Sequence, residues 1–168
     1  MPEARRTSTP STGRRRARDD ARTPGSGPVG PRELDAFVDG YFAAYRSAVA
    51  RMRGEPASPP APDARRPVWE LSEMIGGGAP DDLDAAWQIT VALVERAPDE
   101  GALGFVAAGP VEDLVRTRHA ELGDRILEEA RRNPAFRRAL PGIWGWEALP
   151  EPFRTELMTL AGVAPNQA

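Results

Sequence analysis

Residues 32–53 read RELDAFVDGYFAAYRSAVARMR. Leu34, Phe37, Val38, Tyr41, Phe42, Tyr45, Ala48, Val49 and Met52 recur at three- and four-residue spacing, which is one stripe of a long amphipathic helix. Four aromatic rings fall on that stripe, so it must be covered. The cover is either the rest of the same domain or the same helix in a second copy, and self-association through helix 32–53 is one expectation.

Working outward from this helix, residues 1–31 are rich in Arg, Ser, Thr, Pro and Gly, with Val29 the only larger aliphatic after Met1. Such a segment buries too little apolar surface to offset the entropy of ordering, and a disordered tail is expected. It carries seven Arg against Glu3, Asp19 and Asp20, a balance of +4 that leaves −7 on the rest of a chain whose formal charge is −3. Arg14, Arg15, Arg16 and Arg18 could meet nucleic-acid phosphates, but no aromatic is interleaved to stack bases and acids stand beside them. The plainer reading is a solubilising tail.

Downstream, residues 54–67 (GEPASPPAPDARRP) contain five prolines, which lack amide donors and favour an extended path, so a semi-rigid linker is predicted. A helical domain should then occupy 68–162, followed by a flexible end over 163–168. Val68, Leu71, Met74 and Ile75 mark a short helix stopped by Gly76-Gly77-Gly78, and Pro80-Asp81-Asp82 opens the next with acids in its first turn. Asp99 and Glu100 start a brief helix ended at Gly109-Pro110. From Val111 to Arg132 the helical period continues, with a break predicted near Arg118 because the phase changes by His119 and Gly123 follows. Asn133-Pro134 is a cap with a first-turn proline, and a last helix over about 151–161 ends at Gly162.

No segment alternates apolar and polar residues with β-branched enrichment, so the class is all-α. An irregular bundle of about six or seven helices is the expected architecture, with stacked HEAT-like helix pairs as the alternative. No run is long and apolar enough to span a bilayer, and the N-terminus lacks a continuous apolar stretch of the signal-peptide kind, so a cytoplasmic protein is expected.

The composition excludes several chemistries. Cys is absent, which removes disulfides, thiolate nucleophiles and Cys-bound metals. All 22 basic residues are Arg, so there is no phosphate-loop lysine and no Schiff base. His119 is the single histidine, which rules out zinc helices of the HExxH kind. No cofactor and no metal are expected.

Among the remaining candidates, Glu112, Asp113, Arg116 and His119 stand at helical spacing, and a carboxylate beside an imidazole could do acid–base work in a small hydrolase. The plainer reading is acids in a helix's first turn plus a Glu112–Arg116 surface pair. Arg125, Arg131, Arg132, Arg137 and Arg138 surround the Asn133-Pro134 turn and form a candidate anion-binding face, against which Glu121–Arg125 and Glu128–Arg132 have the spacing of internal ion pairs. The 76–78 glycines with Pro80 outline a phosphate loop, but Asp81, Asp82 and Asp84 would repel an anion and lack the spacing of a calcium loop. Of the four tryptophans, Trp69, Trp87 and Trp144 are expected in the core, while Trp146, in a Gly-flanked turn, is the candidate partner anchor.

The segments WEL (69–71), EMI (73–75), AAWQI (85–89), ERAPDEGALGFVAAGPVEDL (95–114) and HAELGDRILEEARRNPAFRRALPGIW (119–144) resemble an uncharacterised bacterial all-helical domain family, a domain of unknown function. The resemblance runs from Trp69 to Trp144 and implies a helical module without an assigned activity, cofactor or catalytic residue. The functional expectation is therefore a non-enzymatic interaction or accessory module. Its rivals are the Glu112/Asp113/His119 enzyme and nucleic-acid binding through the tail.

Overall fold

The computed structural model describes residues 29–55, 66–77 and 79–164. Arg14, Arg15, Arg16 and Arg18, most of the 54–67 linker, Gly78 and the last four residues lie outside the described residues. Helix α1 spans Pro31–Met52, with Pro31 in its first turn and the Glu33 carboxylate accepting the Gly30 N–H at 3.3 Å. Val38, Tyr41, Phe42 and Ala44 are buried, so the middle of the stripe is covered by α2 (Arg66–Gly77), α3 (Pro80–Glu95) and α4 (Glu100–Val106) of the same chain, while Met52 at its end is exposed.

Helix α3 is the central post. Leu83, Ala86, Trp87, Ile89, Leu93 and Val94 are buried on several sides of it, and Thr90 satisfies its hydroxyl by donating to the Ala86 carbonyl at 2.8 Å. A helix apolar nearly all round belongs in an interior. Asp99 caps α4 by accepting the Ala102 N–H at 2.7 Å. The predicted stop at Gly109-Pro110 takes the form of a wide π-type turn, Ala107–Val111, in which Gly109 leaves helical geometry at φ −123° and ψ −109°. Pro110 lacks the amide that a regular α-turn would use. The chain then runs directly into α5, Glu112–Arg132.

The break expected near Arg118 is not there: α5 is continuous. Arg118 instead reaches across to α2, donating to the carbonyl oxygens of Ile75 at 2.6 Å and Gly76 at 2.9 Å. Gly123 is tolerated inside the helix because Phe153 packs over it, with ring atoms 3.6 Å from where a Cβ would stand. Asn133 caps α6 (Pro134–Ala139) by accepting the N–H groups of Ala135 at 3.0 Å and Phe136 at 3.2 Å. Short 3₁₀ turns at Leu140–Gly142 and Trp146–Ala148 lead to α7, Phe153–Ala161, stopped by Gly162 at φ +69°.

The helices form an irregular bundle, with no strand among the described residues. Contacts join elements distant in sequence, α1 to α4, α2 to α5 and α3 to α6. An open stack of helix pairs would contact only its neighbours. No helix among the described residues is long and apolar enough to cross a membrane.

Two tryptophan expectations are corrected. Trp69 is 63% exposed and Trp144 74% exposed, whereas Trp146, the expected exposed anchor, is 4% exposed. On α2 the buried line is Leu71 and Ile75, and Trp69 stands two residues before Leu71, about 200° around the helix. At the other site Ile143 is extended and points inward, which turns Trp144 out, and Gly145 at φ +75° reverses the chain so that Trp146 enters the core.

Candidate functional site

Where α4 passes through the π-type turn into α5, a notch of about 230 Å³ opens between α1 and α2. Tyr41 of α1, Val68, Trp69, Leu71 and Ser72 of α2, Phe105 of α4, the Ala108-Gly109-Pro110 turn and Asp113 of α5 line it. Phe105 is held by aromatic neighbours, its ring 5.5 Å from Tyr41 and 5.3 Å from Tyr45. Gly109 keeps the turn close to the Tyr41 hydroxyl, which lies 3.4 Å from where a Cβ on Gly109 would be.

Besides Ser72, two polar side chains line this apolar notch. The Asp113 carboxyl is pushed above its ordinary range, chiefly by burial and further by Glu112, with Arg116 opposing. The Tyr41 hydroxyl is pushed well above the usual phenol range by burial and by the nearby Asp113 charge. Among the described residues neither side chain makes a hydrogen bond or an ion pair with another, and no fully buried side-chain polar atom lacks a partner. The Asp113 carboxylate thus keeps acceptor capacity beside the notch, while Tyr41 is buried behind it.

The structure sends the three predicted acid–base residues to different neighbours. Glu112 accepts from Arg116 at 2.9 Å and from the Trp144 backbone N–H at 3.0 Å. His119 places Nδ1 3.2 Å from the Arg116 carbonyl and stacks on Phe153 of α7 at 6.0 Å. Only Asp113 lines the notch. The Arg116 link joins Glu112 and His119 on one side of α5, while Asp113 looks toward α1 and α2.

The arginine cluster is engaged internally. Arg131 pairs with Glu156 of α7, Arg132 with the buried Glu129, and Arg138 lies 3.8 Å from Glu100. Arg137 donates to the carbonyl oxygens of Ala130 at 2.9 Å and Arg131 at 2.6 Å, closing the end of α5. Arg125 pairs with Asp84 and lies 4.9 Å over the Trp87 ring. The partners differ from those spacing suggested: Glu121 takes Arg118, and Glu129 rather than Glu128 takes Arg132. No cluster of three or more His, Asp or Glu able to hold a metal ion occurs among the described residues. Shallow grooves also run beside α7 and α1, where Arg154 pairs with Glu151 and Arg96 with Asp35.

Trp69, Phe105 and Tyr41 were not legible as a group because three separate helices contribute them. The Gly109-Pro110 pair was the available signal, since it marks where a helix wall must open.

Residues 57–154 match a family of unknown function, DUF6869. The chain belongs to DUF6869. The match contains the stretch from Trp69 to Trp144 that carried the resemblance, and extends past it at both ends. No curated protein and no solved structure matches the chain. The DUF6869 region supplies α2, α4, the π-type turn and α5, hence Trp69, Phe105 and Asp113. Tyr41, on α1, closes the notch from outside it.

Proposed function

We propose that this DUF6869 protein is a non-enzymatic docking module and that the notch below Trp69 is its contact face. The observation that carries the reading is the exposed Trp69 indole at the edge of an apolar notch whose Asp113 carboxylate has no ion-pair partner among the described residues. Interfaces concentrate binding energy in such aromatic anchors around a desolvated pocket. The acid–base alternative has less support, because Glu112 and His119 are engaged with Trp144 and Phe153. The same reading places the protein in the bacterial cytoplasm, consistent with a chain that has no Cys and draws its basic residues from Arg alone.

The test is differential capture from host extract. Immobilised wild-type protein should retain a partner that the W69A/F105A variant, folded by circular dichroism, does not. Equal retention by both, or none by either, refutes the notch as a contact face.

A further inference from the structure

Resting on the docking reading, we infer that the notch receives the guanidinium group of an arginine side chain presented by a partner polypeptide. The notch offers the three things that group needs. Exposed aromatic surface at Trp69 and Phe105 lets a planar cation stack. The Asp113 carboxylate accepts its forked N–H donors. The buried Tyr41 ring, within Coulombic reach of Asp113, walls the notch beside that carboxylate.

Charge and size both narrow the occupant. Among the described residues, the charged groups that act on the Asp113 carboxylate are Glu112 and Arg116 on its own helix, with the neutral Tyr41 hydroxyl nearby on α1. The lining residues from α2 and α4 are uncharged. Arg116 is already paired with Glu112 at 2.9 Å, so among the described residues the local balance is one uncompensated negative charge. A volume of about 230 Å³ lies below the roughly 300–1,000 Å³ typical of small-molecule sites, which suits one side chain of a larger partner. An ammonium group could meet the carboxylate but has no plane to stack on Trp69, so arginine is preferred over lysine.

The test uses blocked amino acids on the full-length protein. N-acetyl-arginine amide, titrated into ¹⁵N-labelled protein, should move the Trp69 indole N–H resonance saturably, that resonance being assigned from W69F. The neutral isostere N-acetyl-citrulline amide should bind about tenfold or more weakly, because it lacks the charge-assisted pair, and D113N should weaken arginine to the same degree. Equal responses to arginine and citrulline, unchanged affinity in D113N, or no saturable shift with either probe overturns the inference. The citrulline comparison needs only wild-type protein, so it holds even if D113N fails to fold. If the probes respond equally while W69A/F105A still loses its partner, the guanidinium inference fails and the docking face stands. If W69A/F105A keeps its partner, the docking reading itself fails.

Discussion

Arg118 donates from Nε to the carbonyl oxygen of Ile75 at 2.6 Å, joining the middle of α5 to the end of α2 across 43 residues. A second donor from the same guanidinium reaches Gly76, so one side chain satisfies two carbonyls that a helix end leaves without intrahelical partners. This fastens α2, the helix that carries Trp69, to the bundle.

Removing that tie should therefore loosen one wall of the notch. R118A is expected to lower stability by about 1–3 kcal/mol, the range for hydrogen bonds to a charged group. R118K, with a compact head that cannot span both carbonyls, should fall between R118A and wild type. Chemical denaturation with an unchanged slope and a lowered midpoint is the expected result. A midpoint equal to wild type in R118A would contradict it.

The two exposed tryptophans and their buried neighbour predict a sharp contrast. W146A should cost about 3–5 kcal/mol, the range for deleting a buried aromatic ring. W144A should change stability by no more than about 0.5 kcal/mol, as surface substitutions usually do. Thermal unfolding of the pair decides it, and similar losses in both would mean that Trp144 is not the exposed member.

Two glycines should respond oppositely to alanine. At Gly142 an added Cβ would stand 2.7 Å from the Ala107 Cβ, so the 3₁₀ turn must move off the π-type turn. G142A should destabilise by about 1–3 kcal/mol, as overpacking does. At Gly123 the nearest atoms are 3.6 Å away, an ordinary contact. G123A should be stabilising by up to about 1 kcal/mol through helix propensity alone. Denaturant midpoints test both signs.

Asp113 gives a dependence on pH whose sign follows from its environment. Burial first, then Glu112, raises its folded pKa above the ordinary 3.8, while Arg116 opposes. Between those two values the folded chain holds more protons than the unfolded one. Its contribution to stability is thus full below the window and is lost as pH rises through it. D113N should be more stable than wild type at neutral pH, by an amount that solvent screening keeps small for a half-buried group. The difference should close below about pH 3, where both forms are uncharged. A gap that is constant with pH would show that ionisation is not its source.

Much of the fold was legible because its punctuation is local. Pro80, Asn133-Pro134 and Gly162 each act within one helical turn, and the structure places helix ends at all three. The continuity of α5 was not legible, because Arg118 is explained by carbonyls on another helix and Gly123 by a ring on α7. The tryptophans failed for the same reason: hydrophobicity says that a ring prefers burial, but the α2 face and the Gly145 reversal decide which rings obtain it. At the candidate site Asp113 was read from its neighbours in sequence. Its environment comes instead from α1 and α2, far away along the chain.

The junction at Ala107–Val111 sets the course of everything after it. Gly109, outside helical geometry, and Pro110, without an amide, keep α4 and α5 from running on as one regular helix. The direction in which α5 leaves this bend decides where Asp113 and Arg118 fall, the first near Tyr41 and the second at Ile75. The clamp and the notch thus hang on one shared bend, and a change that straightened it would disturb both at once, even with every side chain in the notch unchanged.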